Sequence, residues 1–401
     1  MNNTPQSVRL HIGIFGDTNV GKSSLFNALT GTDIAITSDI SGTTTDSVQK
    51  AMELIPFGAV VLVDTAGLND ITPLGKQRTD KTRKVLNRVD LALYLIDGSS
   101  FSAEEVDNYH RFSAKIQQRN TPHIAVITKN DLSAENIADF PAIAVSIHQP
   151  ATINALKQEI VNQLFSIQNA NKARETLIGD LLPKGSTVLL VAPIDSAAPK
   201  GRLILPQAQL IRDCLDNGCI ASIVTEKEVT AALVNLKKVD LVVTDSQVFG
   251  EVDKLVPQDI PLTSFSILMA RQKGDISELL DGIAAIKSLK NGDKILVSEV
   301  CTHNRTHEDI GQVKIPAAMQ KITGLQLNFE FTAGRDFPDD LTQYALIVHC
   351  GACMITAKEM QSRIIAAKQA KVPITNYGLF LAFASGILKR GTEILERAGI
   401  E

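Results

Sequence analysis

The sequence has no excess of either sign of charge. Its 401 residues include 40 Lys and Arg against 44 Asp and Glu, which gives a formal net charge of −4. A chain so balanced lacks the basic footprint that binding to nucleic acid or to an anionic membrane requires. We therefore predict neither as a partner. Long runs of one charge sign are also absent, which argues against a disordered tail.

Long apolar runs and a signal peptide are missing as well. The longest apolar stretches, such as 59–63, have the length of a strand and are far too short to span a bilayer. The first seven residues lack the charged start and the apolar segment of a secretory signal. These absences predict a soluble, cytoplasmic protein.

Cysteine is scarce, and its count is odd. The five cysteines are Cys214, Cys219, Cys301, Cys350 and Cys353. In a cytosolic chain of this length, an odd number argues against a framework of disulfides and favours either metal binding or buried thiols. Cys214 and Cys219 have no histidine near them in the sequence, so we do not expect them to bind metal.

Strand-length and helix-length segments alternate along the chain. Such alternation is typical of α/β domains with mostly parallel sheets, because each helix carries the chain back to the start of the next parallel strand. A polar stretch at 169–176, followed by a Pro-Lys-Gly turn, predicts a linker. We therefore predict an α/β fold of three units, at 8–170, 180–266 and 267–401.

The first unit carries a phosphate-binding motif between a predicted strand and a predicted helix. The residues that fit the pattern G-x-x-x-x-G-K-S/T are Gly16, Asp17, Thr18, Asn19, Val20, Gly21, Lys22 and Ser23, and Ser24 comes next. Glycines let backbone N–H groups turn toward phosphate oxygens, and the N-terminus of the helix adds its partial positive charge. We expect Lys22 to reach the β- and γ-phosphates and Ser23 to coordinate Mg²⁺.

A second motif, Asp64-Thr65-Ala66-Gly67, follows the predicted buried strand at 60–63. This is the place where P-loop GTPases hold the carboxylate that binds Mg²⁺ through water. We expect Asp64 to take that role and Gly67 to approach the γ-phosphate through its own N–H.

A third motif, T-K-N-D at 128–131, follows the predicted strand at 123–127. It resembles the N/T-K-x-D motif of the translation-factor class of GTPases. The resemblance implies a guanine site formed by Thr128, Lys129 and Asp131, in which Asp131 selects guanine over adenine and the stem of Lys129 covers the base. It also implies a backbone contact from Ser146 to the guanine oxygen, although Ile147 stands where the family usually has alanine.

The segment at 42–46 resembles the G-T-T-x-D switch I of the tRNA-modification, Era and EngA group of GTPases. By that resemblance Thr44 contacts Mg²⁺ in the triphosphate state. Leu68 stands where Ras-like enzymes place the glutamine that orients water, which predicts slow intrinsic hydrolysis. Asn19 matches an asparagine that binds K⁺ between the phosphates in potassium-activated members. The residues expected to support hydrolysis are therefore Lys22, Thr44, Gly67 and Asn19.

Sulfur and imidazole side chains follow two predicted strands of the third unit. One group follows the strand at 294–300 and the other follows the strand at 344–348; together they are Cys301, His303, His349, Cys350 and Cys353. Because the carboxyl ends of parallel strands meet at one edge of a sheet, we expect the two groups to converge. Soft thiolates suit zinc, copper(I) or an iron–sulfur cluster, and the spacing does not decide among them. Buried thiols, and an ordinary polar role for each histidine, stay open as alternatives.

The spacing C-x-H, then roughly 45 residues, then H-C-x-x-C closely resembles the HydF family of FeFe-hydrogenase maturation GTPases. The resemblance covers the whole chain, because a GTPase domain and a middle α/β unit precede the cysteines in the same order. It implies a 4Fe-4S cluster on Cys301, Cys350 and Cys353, with a weak, exchangeable fourth ligand from His303 or His349. It further implies that the protein carries a diiron precursor, built by radical-SAM maturases, to apo-FeFe-hydrogenase.

The same resemblance assigns a role to each predicted unit. It implies a P-loop GTPase domain, a dimerisation domain and an iron–sulfur cluster-binding domain, in that order, and hence a homodimer. The alternative function is a tRNA-modification or ribosome-assembly GTPase with a zinc site, against which the balanced charge weighs. A third is a binding module that uses GTP only as a structural ligand, which the intact Lys22, Ser23, Thr44 and Asp64 disfavour.

Overall fold

The computed structural model describes residues 5–31, 48–65, 82, 84–132, 140–171, 176–194, 201, 203–300, 310–334 and 336–396. The predicted site residues that lie outside these ranges are Thr44, Gly67, Cys301 and His303. The chain divides into two compact units, residues 1–171 and residues 172–401. Among the helices in the ranges given above, none combines the length and the apolarity needed to span a bilayer.

The first unit is built on a six-stranded sheet. Its strands are β1 Leu10–Gly16, β2 Gln49–Leu54, β3 Gly58–Asp64, β4 Leu91–Asp97, β5 His123–Thr128 and β6 Ala142–Ala144. They lie in the order β2-β3-β1-β4-β5-β6, in which β2 runs antiparallel to β3 and the other neighbouring pairs are parallel. The carboxyl ends of β1, β3, β4 and β5 therefore meet at one edge of the sheet, which is where ligands bind in open α/β folds.

Helices cover both faces of that sheet. They are α1 Lys22–Thr30, α2 Ala103–Gln117 and α3 Pro150–Asn171. Leu25 of α1 and Leu156 of α3 belong to a buried cluster on one face, and Phe112 and Ile116 of α2 belong to a cluster on the other. The central strands are consequently buried on both sides, which explains why they read as continuous apolar runs rather than as alternating patterns.

The second unit contains two four-stranded sheets of parallel strands. Their strands are β7 Thr187–Val191, β8 Ile220–Val224, β9 Leu241–Thr244 and β10 Leu262–Ser264 in the first, and β11 Lys294–Glu299, β12 Asn328–Ala333, β13 Leu346–His349 and β14 Ile374–Asn376 in the second. The orders are β10-β9-β7-β8 and β12-β11-β13-β14. In each sheet the first strand has the second strand on one side and the third on the other, with the fourth beyond the third. The two sheets therefore share one strand order.

The helices of this unit interlock the two sheets. They are α4 Leu205–Asp216, α5 Val229–Asn235, α6 Phe249–Leu255, α7 Phe265–Lys273, α8 Ile276–Ala285, α9 Ile315–Thr323, α10 Ala357–Gln369, α11 Tyr377–Ala384 and α12 Leu388–Glu396. Helix α7 directly follows β10, yet it packs against α8, α10 and α11 of the other half. Helix α12 packs back on β10, where Thr263 Oγ1 donates a hydrogen bond of 2.8 Å to the carbonyl oxygen of Gly391. The sheets consequently share one apolar core that runs from Leu177 to Leu395.

The fourth strand of each sheet runs straight into a helix that its last residue caps. The hydroxyl of Ser264 accepts a hydrogen bond from the N–H of Ile267, and the side chain of Asn376 accepts one from the N–H of Leu379. Such caps satisfy backbone donors that the first turn of a helix leaves free. The predicted α/β architecture is confirmed, and the predicted boundary at 266/267 lies inside α7.

Candidate functional site

The loop between β1 and α1 turns back on itself through residues with left-handed backbone. Gly16 has φ +142°, Asn19 has φ +68° and Gly21 has φ +90°. A Cβ atom at Gly16 would lie 2.6 Å from the carbonyl oxygen of Leu95, so only glycine fits there. Three residues with positive φ thus precede the start of α1 at Lys22, and backbone N–H groups in such turns form anion-binding concavities.

The ammonium of Lys22 lies across this loop. Its Nζ donates hydrogen bonds to the carbonyl oxygens of Gly16, at 3.2 Å, and Asp17, at 2.6 Å. Burial lowers the pKa of Lys22, although the charges of Asp64 and Asp17 act in the opposite direction. A partly desolvated cation held at the mouth of the loop is a strong partner for a phosphate oxygen.

Ser23 and Asp64 come together from α1 and the end of β3. The hydroxyl of Ser23 donates to Oδ2 of Asp64 at 2.9 Å. The other carboxylate oxygen, Oδ1, is buried without a hydrogen-bond partner in the described structure, and burial raises the pKa of Asp64. A buried carboxylate oxygen beside a hydroxyl is the oxygen donor set that Mg²⁺ prefers, so these two residues fit a magnesium ion.

The T-K-N-D motif is tied to the phosphate loop by Thr128. Its hydroxyl lies 2.7 Å from the carbonyl oxygen of Val20 and 3.1 Å from that of Ile96. Lys129 has a left-handed backbone, with φ +52°, and forms an ion pair with Asp97. The Thr128 side chain thus links the T-K-N-D motif to the phosphate loop, and the backbone turns at Lys129.

Asp131 and Ser146 meet, as the predicted guanine site requires. The hydroxyl of Ser146 donates to the carboxylate of Asp131 and is the largest cause that holds the pKa of Asp131 below its usual value. Ser146 itself is buried, whereas Asp131 and Ile147 are exposed. The carboxylate is therefore ionised and reachable, as an acceptor for the N–H groups of a base must be.

Sequence reasoning missed two residues of this site. Asp97 ends β4 and pairs with Lys129, and the side-chain amide of Asn108 on α2 donates to Asp17 at 3.0 Å. Asp97 could have been predicted as a site residue, because it is a carboxylate at the carboxyl end of a central buried strand. Asn108 gave no such signal, because it lies in a helix 91 residues away from Asp17 along the chain.

The predicted cysteine groups follow β11 and β13, which are neighbours in the second sheet of residues 172–401. Because β12 lies on the far side of β11, the strand order changes direction between β11 and β13, and ligands bind at such points. The N–H of Val300 donates to the sulfur of Cys350 at 3.2 Å. Burial raises the pKa of the Cys350 thiol to about 11, and Cys353 is half-buried.

The turn that holds Cys350 and Cys353, residues 350–355, is called the cysteine loop below. Ala352 within it has a left-handed backbone, with φ +55°. The ammonium of Lys273, at the end of α7, donates to three carbonyl oxygens of this loop, which are those of Ala352 at 3.1 Å, Cys353 at 3.1 Å and Ile355 at 2.9 Å. A buried lysine therefore fixes the path of the loop.

His349 is fully buried and uses both ring nitrogens. Its Nδ1 lies 2.8 Å from the carbonyl oxygen of Cys350, and its Nε2 lies 3.0 Å from Nη1 of Arg363. A carbonyl only accepts and a guanidinium only donates, so the proton sits on Nδ1 and Nε2 accepts. Burial, followed by the charge of Arg363, lowers the pKa of His349 to about 3, and the ring is neutral. This geometry does not fit the predicted role of His349 as a cluster ligand.

In the part of the chain that the structure describes, no group of three or more His, Cys, Asp or Glu side chains is placed to hold a metal ion. Of the predicted ligand set, His349, Cys350 and Cys353 lie among the described residues. Cys214 and Cys219 are buried in the core, and burial raises the pKa of the Cys214 thiol to about 12, so both behave as small apolar side chains.

Two family models match consecutive stretches of the second unit. The model described as the hydrogen maturase F dimerization domain matches residues 177–274, and the one described as the hydrogen maturase F tetramerization domain matches residues 277–394. The chain belongs to the hydrogen maturase F (HydF) family. The junction of the two HydF models lies directly after α7, so Lys273 belongs to the first and the cysteine loop to the second.

The first unit of this HydF chain matches a model described as a 50S ribosome-binding GTPase, over residues 11–129. It is 35% identical over 163 residues to a tRNA modification GTPase MnmE of Chromobacterium violaceum, which covers 39% of this chain and 35% of that protein. It is 32% identical over 174 residues to a GTPase Der of Wolinella succinogenes, which covers 39% of this chain and 36% of that protein. The chain thus spans about a third of the length of these relatives.

Solved structures also match the first unit. The G domain of the T. maritima FeoB iron transporter is 21% identical and has a TM-score of 0.31, over 38% of this chain and 98% of that chain. The P-loop fold of the HydF chain is evident instead from its own strand order and from the matched GTPase model. An N-terminal P-loop GTPase domain followed by further α/β domains is therefore confirmed.

Proposed function

We propose that this protein hydrolyses GTP and serves in FeFe-hydrogenase maturation, as a scaffold that carries a 4Fe-4S cluster on Cys301, Cys350 and Cys353. The observation that carries the proposal is the contact between the N–H of Val300 and the sulfur of Cys350. Val300 directly precedes Cys301 in the sequence, and consecutive Cα atoms lie about 3.8 Å apart. The residue that carries the third thiol thus directly follows one that contacts Cys350, which supports a shared site.

The residues of the first unit support GTP hydrolysis with Mg²⁺. The Lys22 ammonium across the phosphate loop supports a role on the phosphates, the Ser23–Asp64 contact supports a role on the ion, and the lowered pKa of Asp131 supports a role on the base. Asn19 lies in the phosphate loop with a left-handed backbone, and its side chain is exposed. An exposed side chain at this position fits the K⁺ contact that the resemblance implies. We expect hydrolysis to be faster in potassium than in sodium at equal ionic strength, and equal rates would remove K⁺ from the proposal.

The cysteine loop fits a cluster in its donor chemistry. Thiolate sulfurs of iron–sulfur sites accept hydrogen bonds, and such bonds are among the factors that set the reduction potential. The Val300 N–H already points to Cys350 in this way. A cluster held by three thiolates supplies one iron with a replaceable ligand. His349 uses both nitrogens elsewhere, which leaves His303 as the histidine to supply that weak ligand.

An iron with a replaceable ligand suits the temporary binding of a diiron precursor. The proposed cargo comes from radical-SAM maturases and goes to apo-FeFe-hydrogenase, as the membership in the hydrogen maturase F family supports. The alternative is a GTPase of tRNA modification or ribosome assembly with zinc on the same thiols. The relatives named above support this alternative for the first unit alone.

One experiment separates these two functions. The protein is reconstituted anaerobically with iron and sulfide, reduced, and examined by low-temperature EPR. We expect a 4Fe-4S signal that is lost in Cys301→Ser, Cys350→Ser and Cys353→Ser but kept in Cys214→Ala, whose thiol is buried in the core. Stoichiometric zinc without iron uptake would instead establish the alternative.

We also propose a homodimer that forms through the edge of β8. Among the described strands β8 pairs with β7 alone, so its other edge is open. Apolar side chains are exposed on β8 and on the helices beside it, namely Leu215, Ile220, Ile223 and Val234. An open strand edge with apolar neighbours is a template for pairing with a second strand.

Light scattering tests the dimer. Ile223→Lys should give a monomer mass, because it places a charge on the pairing edge. Ile365→Lys on α10 is the matched control, since the two side chains are 45% and 46% exposed, and it should leave the dimer intact. A monomeric unsubstituted chain, or a dimer that survives Ile223→Lys unchanged, would contradict this surface.

A further inference from the structure

Lys273 is a buried cation with a complete set of acceptors. It is the last residue of α7, and only 4% of its surface is exposed. Its side chain donates to three main-chain carbonyls, at 2.9 to 3.1 Å. An ammonium group has three N–H donors, so this arrangement matches each donor with one carbonyl of the cysteine loop. Burial of an ammonium is tolerated only with such full hydrogen bonding.

These contacts decide the shape of the cysteine loop. Ala352 adopts a left-handed backbone, which residues with a side chain rarely take. That conformation lets the carbonyl oxygens of Ala352, Cys353 and Ile355 converge on a single point, and Lys273 Nζ lies there. Without the cation, three carbonyl dipoles would face one another inside the protein. The ammonium therefore holds the turn that sets the positions of Cys350 and Cys353.

Helix α7 meets the loop at its other end too. A Cβ atom on Gly351 would lie 3.7 Å from the hydroxyl oxygen of Ser266, in ordinary contact. The amide of Asn376, at the end of β14, donates to the carbonyl oxygen of Ser266 at 3.1 Å. The same helix thus passes beside the loop at Gly351 and binds it at residues 352–355 through Lys273. It belongs to the domain matched as a dimerization domain, whereas the loop belongs to the next.

We propose that Lys273 is a positioning residue for the cluster site, which holds the cysteine loop in its binding shape and raises the reduction potential of the bound cluster. The proposal rests on the cluster-binding function proposed above. A buried positive charge beside the cluster favours the form that carries one more electron, because charges interact strongly where water is excluded. The loop geometry and the potential are therefore set by a side chain from the preceding domain.

The test compares Lys273→Met, which keeps the length and removes the donors and the charge, with Lys273→Arg, which keeps the charge on a planar group. Lys368→Met is the matched control, because it removes a positive charge from the surface of α10. In the metal-free protein, alkylation of Cys353 by iodoacetamide is followed by mass spectrometry. We expect it to be about tenfold faster in Lys273→Met than in the unsubstituted chain or in Lys368→Met, as the loop opens.

In the reconstituted protein, an EPR-monitored redox titration measures the potential. Lys273→Met should shift the ratio of reduced to oxidised cluster at a fixed potential by about tenfold toward the oxidised form, which is about 59 mV for one electron. Lys273→Arg should recover most of that shift, and Lys368→Met should show none. Recovery by arginine separates a charge effect from general loosening of the fold.

The outcomes are distinct. An unsubstituted chain that takes up no cluster would overturn the proposed function, while the alkylation rates would still report whether Lys273 holds the loop. A cluster with unchanged potential in a folded Lys273→Met protein would overturn the inference and leave the proposed function standing. Failure of both Lys273 variants to fold, by circular dichroism, would also overturn it, because Lys273 would then serve the stability of the fold alone.

Discussion

Arg363 on α10 holds a buried polar group together, and its removal should be costly. Its guanidinium contacts Nε2 of His349 at 3.0 Å, the hydroxyl of Ser298 at 3.4 Å and the carboxylate of Glu359 at 3.3 Å. It also lies 4.9 Å from the centre of the Phe337 ring. The side chains of Arg363 and Glu359 are only 5% and 11% exposed. Lys, Arg and Glu are buried to this extent only when they are paired.

The magnitude follows from what Arg363→Met leaves behind. The Glu359 carboxylate loses its ion pair with Arg363 inside the protein, and breaking a buried ion pair from one side costs about 3–5 kcal/mol. The Nε2 atom of His349 loses its donor, and an unsatisfied buried acceptor costs about 1–3 kcal/mol. These contributions overlap, since both arise in one network, so we expect a loss of about 4 kcal/mol. The double variant Glu359→Gln, Arg363→Met removes both charges of the ion pair and should lose only about half as much.

The assay has to isolate the second unit, because a chain of two compact units need not unfold in one step. Thermal unfolding is followed by circular dichroism with and without GTP and Mg²⁺. A ligand at about 100 times its Kd adds about 2.7 kcal/mol to the unit that binds it, so the transition that does not move belongs to residues 172–401. For a unit of this size 1 kcal/mol corresponds to about 2–4 °C, so Arg363→Met should lower that Tm by about 8–16 °C.

Two results would refute this reasoning. One is a Tm of the second unit within about 2 °C of the unsubstituted protein, which would mean that Glu359 and His349 find other partners at no cost. The other is a double variant that is as unstable as Arg363→Met, which would place the loss in packing against Phe337 rather than in unpaired charge.

Three further predictions concern the first unit. Asp131→Asn should weaken GTP binding by about 10²–10⁴-fold and favour xanthosine triphosphate, since two hydrogen bonds to a charged acceptor are worth about 1.5–3 kcal/mol each; titration with both nucleotides measures this. Ser146→Ala removes the main cause that lowers the pKa of Asp131, so on acidification GTP affinity should fall at a higher pH than in the unsubstituted protein, and an unchanged pH profile would contradict it. Gly16→Ala should abolish nucleotide binding, because the added Cβ meets the Leu95 carbonyl at 2.6 Å, whereas Gly31→Ala, which carries the strain of a positive φ of 67° but has open space at its Cβ, should still bind nucleotide.

The phosphate and guanine motifs were predictable because each is a short run of consecutive residues. Gly16 to Ser23 runs from the end of β1 into the start of α1, and Thr128 to Asp131 directly follows the body of β5, so spacing alone carries the signal. The parallel arrangement of β11 and β13, on which the predicted meeting of the two cysteine groups depends, was predictable for a different reason, since alternating strands and helices imply parallel sheets. The edge strand β2, with its polar sequence, gave no such signal and was missed.

Helix α7 and its lysine were not predictable from the sequence. Phe265, Ile267, Leu268, Met269 and Ala270 are all buried, so the helix has no polar face and shows no 3.6-residue period. A domain boundary was predicted there instead. Lys273 lies about 80 residues from the carbonyls that it binds. Nothing in a sequence distinguishes such a lysine from one on the surface, because the partners are backbone atoms.

Because the two sheets in residues 172–401 share one strand order, a position in one sheet can be compared with the equivalent position in the other. The turn that begins at Asp245 after β9 occupies the same topological position as the turn that begins at Cys350 after β13, but it carries no thiol. Any property measured at the second turn therefore has a sulfur-free counterpart in the same chain, under the same solution conditions. If iron bound at both turns, the architecture of the parallel sheets would hold it. If iron bound only at the turn after β13, the cysteines would hold it.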